Sequence, residues 1–461
     1  MQKIFLWLMI LGSFNCLAAS HLEVGMMGLD MKPKIGIPLA GYGSNERRLH
    51  DFIDWRFQYS EATLFKPSEG YHSPIRSKVM ILKKESTNLV FISLDTIGVE
   101  HRFIQDIAKR VKKYGIKEHE LIVSATHTHG GPGTLSTRIP LQAVAVDLYI
   151  HRNYLHVLNK VVESIEGALN NLRPATLYKS KAQIKGVQQN KWRQDQMKFD
   201  DRASFLLAKD AVSGEWLGGL VNFSIHGGTM PIPVMLYSSD VNGAIEKELE
   251  NHLAQKNYVS TNSPVMLFMN GAEGDVGGSS ERSIENVTLL AKTFMQEAAS
   301  ALEENQLTLV GPAISSAKKK IFIGVPTLQL KNCQEGFLGE LPGWIRPMIY
   351  PLLPAFSYLS KAQVGDITYL SWPGEASTQL GYDLQALAHA QGIKDPIVLG
   401  LTNDYMTYFT TQEEFHEHRY DSCSSFYGWK GGKRILEAHK KWLTPRQKPL
   451  PLLESTAASH R

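Results

Sequence analysis

Short unbroken apolar runs punctuate this chain, and most of them stop on glycine, proline or a polar residue. Runs of that kind predict strands, buried ones at 121–123 and 265–269. They fall at 24–28, 77–83, 88–95, 121–123, 176–185, 203–209, 216–223, 265–269, 367–372 and 396–401. Between them the apolar positions shift to helical spacing. Phe103, Ile104, Ile107 and Val111 mark one helix, and Tyr154, Val157, Leu158, Val161, Ile165 and Leu169 a longer one. Further helices are predicted through 289–302 and from Ser377, and Asp240 stands where an N-terminal cap of another belongs. Strands and helices interleave without an internal repeat or a dividing linker. The predicted fold class is α/β: one large domain with mixed central sheets, helices outside, and the active site at strand ends.

One segment obeys no single period. From 337 to 356, Leu341, Trp344, Ile345, Met348, Ile349, Tyr350, Leu352, Leu353 and Phe356 crowd around four prolines. It reads either as an irregular cover over the core or as a hydrophobic lip, Trp344–Phe356, at the mouth of a lipid site in peripheral contact with a membrane.

Composition narrows the class. The 461 residues are 43% hydrophobic and 20% charged, and a net charge of +4 is too balanced to recommend nucleic acid as a partner. Met1-Gln2-Lys3, the apolar stretch 4–11 and the small residues around Ala18-Ala19-Ser20 have the form of a secretory signal peptide, so export to the periplasm or medium is expected. The mature domain is then 21–444, and the proline-rich, polar stretch 445–461 reads as a loose tail. Cys333 and Cys423 remain after cleavage and are candidates for a disulfide.

Candidate chemistry sits where apolar runs end. The run 121–123 leads into Ser124-Ala125-Thr126-His127-Thr128-His129-Gly130-Gly131-Pro132-Gly133. In an extended chain, positions i and i+2 face the same way, which would turn His127 and His129 towards one cavity. Two further runs end alike, on His226 before Gly227 and on Glu375 after Pro373-Gly374. Two histidines and a carboxylate form a known catalytic zinc set that leaves a coordination position open.

With these residues in view, the chain resembles the neutral, non-lysosomal ceramidases. The resemblance runs in order through 124–133, Asn222-Phe223-Ser224-Ile225-His226-Gly227, Ser238-Ser239-Asp240, Asn270-Gly271, Gly274-Asp275-Val276, Pro373-Gly374-Glu375, and Gly400-Leu401-Thr402-Asn403-Asp404-Tyr405 through Tyr408, Thr410-Thr411, Glu414 and Arg419-Tyr420. It implies a zinc enzyme that cleaves the amide of ceramide or a related N-acyl lipid with zinc-activated water. Carried over by position, it implies the zinc ligands His127, His226, Glu375 and Tyr408. It places His129 beside them and Tyr420 near the reacting carbonyl. A basic residue of the family falls on Lys191 or Arg193.

The chain departs from the family at Gly277, where the family carries a serine after its Asp-Val pair. That difference keeps open hydrolysis of another N-acyl amide or ester, and a non-catalytic zinc and lipid-binding role. The sequence also closes soon after its last matching motif, so the family's C-terminal β-sandwich domain is not expected.

Overall fold

The computed structural model describes residues 22–43, 46–49, 61–193, 199–258, 263–279, 281–326 and 352–444. The apolar runs build two sheets packed face to face. Along the larger, nine-stranded sheet the path is Val265–Asn270, Trp216–Phe223, Arg202–Asp210, Arg173–Gln183, Glu23–Asp30, Arg76–Lys84, Thr87–Leu94 and Leu121–Ala125, with Thr308–Val310 joining Arg173–Gln183. The outermost pair at each end is parallel, and the strands between are antiparallel. The smaller sheet holds Ile314–Phe322, Phe356–Val364, Ile367–Ser371 and Asp395–Leu399 in that order.

The face-to-face packing explains why the runs are unbroken. Successive side chains on a strand point to opposite faces. Met80 and Leu82 pack towards the smaller sheet, against the cluster of Ala362, Val364, Ile367, Tyr369, Ile397 and Leu399. Val79 and Ile81 point the other way, into a cluster with Ile104, Ile107, Val157, Val161 and Ile165. That outer face is covered by helices His101–Val111 and His151–Asn170. At the far half of the sheet, Leu267 and Met269 repeat the inward choice, while Met266 and Phe268 meet helices Asp240–Gln255 and Ile284–Ala298. Helices Thr378–Ala390 and Gly428–Leu443 cover the smaller sheet through Leu380, Leu384 and Ile435. The result is four layers, helix–sheet–sheet–helix, in agreement with the predicted α/β class.

Two local expectations change. The helix placed at 289–302 begins earlier, at Ile284, because Ser283 accepts the Asn286 amide (3.0 Å) as its cap. Asp240 does not cap its helix. Its φ is +54°, and its carboxylate turns back to the amides of Thr229 and Met230, both at 3.0 Å. Its Oδ1 also accepts the Val241 amide (2.7 Å), so it ties the loop after His226 to the helix start.

Residues 344–351 lie outside the described residues, so the proposed lip is seen only at its end. There Leu353 is buried in the cluster with Trp372, Tyr405 and Phe409, while Leu352 and Phe356 are exposed. Cys423 takes part in a disulfide, and Cys333 lies outside the described residues. Among the described residues no helix is long and apolar enough to cross a membrane.

Candidate metal centre

The ends of strands Leu121–Ala125, Trp216–Phe223, Val265–Asn270 and Ile367–Ser371 converge, and backbone bonds lace the loops that follow them. The His129 amide donates to Gly227 O (2.9 Å), the His226 amide to Val276 O (3.1 Å), and the Gly274 amide to Ala376 O (2.8 Å). Glu375 pairs in parallel with Tyr408, and its amide donates to Thr407 O (2.9 Å). Gly374 makes that pairing feasible. Its φ is +150°, and a Cβ there would lie 2.4 Å from Thr407 O.

His127 and His129 do share one cavity, with ring centroids 5.2 Å apart, but not through strand alternation. The strand stops at Ala125, and His127 has a left-handed backbone at φ +64°. The turn is held by its amide on Thr96 O (3.1 Å) and by its Nδ1 on Ile97 O (2.5 Å). A non-glycine residue in that conformation is strained, and strain of this kind gathers at functional sites.

Three acceptor atoms face one another at the centre. Hydrogen bonding of Nδ1 to Ile97 O leaves His127 Nε2 with a free lone pair. His226 Nδ1 meets the Glu273 carbonyl at 3.0 Å, which leaves Nε2 as an acceptor, approached by Tyr408 OH (3.2 Å) and Lys191 Nζ (3.1 Å). Both Nε2 atoms lie 3.2 Å from Glu375 Oε2. That oxygen is buried and has no hydrogen-bond partner among the described residues, while Oε1 accepts from Tyr405 OH (2.7 Å). Acceptor atoms crowded together in a dry interior are repulsive unless a cation lies between them. Ligand atoms about 2.0–2.2 Å from a tetrahedral zinc ion stand roughly 3.4 Å apart, so the observed separations fit such an ion. His127, His226, Glu273 and Glu375 could hold a metal, as could His127, His129 and His226.

The surrounding residues divide clearly. Tyr408 OH lies 3.2 Å from His226 Nε2, on the same side as Glu375. His129 has both ring nitrogens enclosed without a hydrogen-bond partner among the described residues, and its ring tilts against Tyr42 at 4.2 Å. Burial, then the neighbouring His127 and His226, pull its pKa well below the ordinary histidine value. Tyr420 stands at the rim, 42% exposed, with its ring 5.7 Å from Tyr408 and 5.6 Å from Trp192.

Of the two basic candidates, the structure brings only Lys191 to the centre. Its Nζ lies 3.1 Å from each nitrogen of His226. Arg193 instead pairs with Asp421 (3.2 Å) and Glu417 (2.9 Å), fixing the segment Tyr420–Cys423. Gly277 belongs to the same arrangement. A Cβ at that position would meet Lys191 Cγ at 3.0 Å and Cδ at 3.2 Å, so the lysine stem fills the space a side chain there would claim.

The sequence reading passed over Glu273 and Tyr405. Glu273 carries the same signature as the residues it did single out: a carboxylate beside glycine, just after an apolar run. Tyr405 had no comparable signal, because only tertiary folding sets its hydroxyl against Glu375.

Comparisons with known proteins identify the family and the fold. The family described as neutral/alkaline non-lysosomal ceramidase, N-terminal, matches residues 59–324 and 288–435. The neutral ceramidase of Pseudomonas aeruginosa is 22% identical over 80% of this chain and 66% of its own length. That of Oryza sativa subsp. japonica is 23% identical over 55% of this chain and 32% of its own. The chain thus spans less than two thirds of the length of these relatives. The crystal structure of the Pseudomonas aeruginosa neutral ceramidase superposes with a TM-score of 0.75 at 18% identity, covering 93% of this chain and 76% of that one. A ceramidase complexed with C2 superposes equally well, over 92% and 75%. At such identity the superpositions establish the fold.

Proposed function

The chain belongs to the neutral/alkaline non-lysosomal ceramidase family, and from that premise we propose that it hydrolyses the amide of ceramide or a related N-acyl lipid, releasing a fatty acid. The observation that carries this reading is the convergence of His127 Nε2, His226 Nε2 and Glu375 Oε2, three lone pairs aimed at one point. In this reading those residues hold zinc, with Tyr408 as a weaker fourth ligand. Zinc in such a set polarises a carbonyl and makes water a competent nucleophile near neutral pH.

The chain's own residues supply the rest. His127 and His226 are held as acceptors by the carbonyls of Ile97 and Glu273, so neither ring needs to turn when substrate arrives. Tyr405 fixes one oxygen of Glu375 and leaves the other free. His129, with two unpaired ring nitrogens beside the centre, takes the proton from the attacking water and delivers it to the leaving amine. Tyr420, at the rim, donates to the oxyanion as it forms, and Lys191 places a positive charge on the same side. No side chain at 277 is needed as nucleophile, and the Lys191 stem already takes that space.

The exposed Leu352 and Phe356 support a lipid-like substrate approached across a hydrophobic lip and a peripheral membrane contact. Export by the leader-like segment 1–20 places the reaction outside the cytoplasm. The glycine at 277 favours, as a second reading, a different N-acyl amide or ester. The purified protein incubated with ceramides, other N-acyl amides and fatty esters, with fatty acid release measured, separates these. Release greatest from N-acylsphingosines is expected. Release only from another class selects the second reading, and no release from any substrate under zinc repletion refutes catalysis.

A further inference from the structure

His127 and His226 are aimed by carbonyls at Nδ1, whereas neither ring nitrogen of His129 has a hydrogen-bond partner among the described residues. Its orientation is left to packing, and the loop after Leu39 supplies that packing. Gly41 has φ +82°, and a Cβ there would lie 2.4 Å from His129 Nδ1, so bare backbone closes one side of the imidazole. Tyr42 is also left-handed, at φ +58°, and its ring centroid lies 4.2 Å from that of His129 with the planes at 51°. A residue other than glycine persists in that conformation only where its surroundings hold it. Here the Gly41 amide donates to Ala145 O (2.6 Å). Arg47, almost wholly buried, donates to Ala40 O (2.9 Å), Ile232 O (2.9 Å) and the carbonyl of His129 itself (2.5 Å). Its guanidinium lies 5.0 Å from the centroid of the Tyr42 ring, and that of Arg282, pinned by Nε on Gly228 O (3.0 Å), lies 4.9 Å from it.

We propose that Tyr42 is a positioning residue for His129: its ring, together with the bare backbone of Gly41, fixes the imidazole in the orientation that serves the centre. The imidazole is held with its centroid 5.2 Å from that of His127 and 5.8 Å from that of His226. A group that relays a proton must keep its nitrogen within hydrogen-bond reach of the reacting atoms. A displacement of about 1 Å costs on the order of a hundredfold in rate. A hydrogen bond from the backbone would fix the ring by occupying one of the nitrogens, whereas an aromatic wall fixes it and leaves both free. The wall needs the ring of Tyr42 and not its hydroxyl, which reaches Gly228 O only at 3.4 Å. The inference rests on the reading of His129 as the group that moves the proton.

The test uses the full-length mature protein, loaded with zinc, and the N-acyl substrate from which the parent releases fatty acid fastest. Tyr42→Leu removes the aromatic wall, Tyr42→Phe keeps it, and Gly41→Ala pushes on the imidazole from the backbone. Expected results are a kcat about 10- to 100-fold lower for Tyr42→Leu and Gly41→Ala, with KM and zinc content unchanged, and most of kcat recovered in Tyr42→Phe. In a His129→Ala background, Tyr42→Leu is expected to cost less than about twofold more, because the ring it positions is gone. Gly41→Ala reports even where Tyr42→Leu fails to fold. A full additional loss in the His129→Ala background overturns the proposal, as does Tyr42→Phe as slow as Tyr42→Leu. So does zinc lost from folded Tyr42→Leu, because the wall then serves the metal and not the proton relay. A parent that releases no fatty acid refutes the hydrolase reading itself, a result distinct from these.

Discussion

Lys78 and Lys191 each deliver an ammonium to the interior beside carboxylates, and the two clusters end differently. Lys78 Nζ meets Glu246 (2.9 Å), Glu250 (2.6 Å) and Met266 O (3.0 Å), so its three protons meet three acceptors. Glu246 also accepts the Phe268 amide (2.6 Å), and nearby Asp95 accepts the Arg76 amide (2.8 Å) and Thr126 Oγ1 (3.1 Å). Despite burial, Glu246 and Glu250 hold the Lys78 pKa above its ordinary value. Lys191 is partly exposed along its length, but its ammonium is enclosed against His226, and burial pulls its pKa below the ordinary value against Glu375 and Glu273. The first cluster is closed: it consumes its own hydrogen-bonding capacity and ties the strand Arg76–Lys84 to Val265–Asn270. The second is open, with Glu375 Oε2 and both Glu273 carboxylate oxygens without a hydrogen-bond partner among the described residues. A closed cluster is structure, and an open one invites a ligand.

The sharpest way to break the contrast is at the open centre. His127→Ala is expected to abolish zinc binding and hydrolysis while leaving the fold intact, checked by metal content and circular dichroism. Full zinc retention there removes His127 from the site. Lys78→Met acts oppositely. It strands Glu246 and Glu250 and is expected to lower stability by about 3–5 kcal/mol, measured by denaturant unfolding, while the folded fraction still binds zinc. A loss of zinc affinity with no loss of stability would erase the distinction between the clusters.

A milder probe is pH. His439 is buried under the smaller sheet with Nε2 on Ser371 O (3.1 Å), and burial lowers its pKa to about 4. Below about 6.5 the unfolded chain binds a proton that the folded chain refuses, so stability is full above that pH and falls towards pH 4. The shift corresponds to roughly 3 kcal/mol at its limit. His439→Gln should flatten this part of the stability profile, and an unchanged profile contradicts the assignment. The smallest effect is expected from Gly277→Ser. Its new side chain nudges the Lys191 stem by a few tenths of an ångström, and a loss in rate of roughly three- to tenfold follows. A gain in turnover with an acylated serine, seen by mass spectrometry, would instead favour a serine mechanism.

Much of this was legible in the chain because the layers leave a direct imprint. Strands covered on both faces must be apolar throughout, so Val79 to Leu82 announces itself. His127, His226 and Glu375 were legible because each follows such a run beside glycine. What stayed hidden depends on distant partners. Lys191 and Arg193 look equivalent in sequence, and only Asp421 and Glu417, far along the chain, draw Arg193 away. The left-handed turn at His127 depends on carbonyls of Thr96 and Ile97. Asp240 has the form of a cap, but its carboxylate also takes the distant amides of Thr229 and Met230, which no local pattern shows. Glu273 follows an apolar run beside glycine as they do, and the sequence reading passed over it.

The most direct measurement is fatty acid release from an N-acylsphingosine by protein stripped of metal, then titrated with zinc. The account expects no release from the stripped protein and full recovery at one zinc per chain. Stripped protein that turns over at the untreated rate would contradict it.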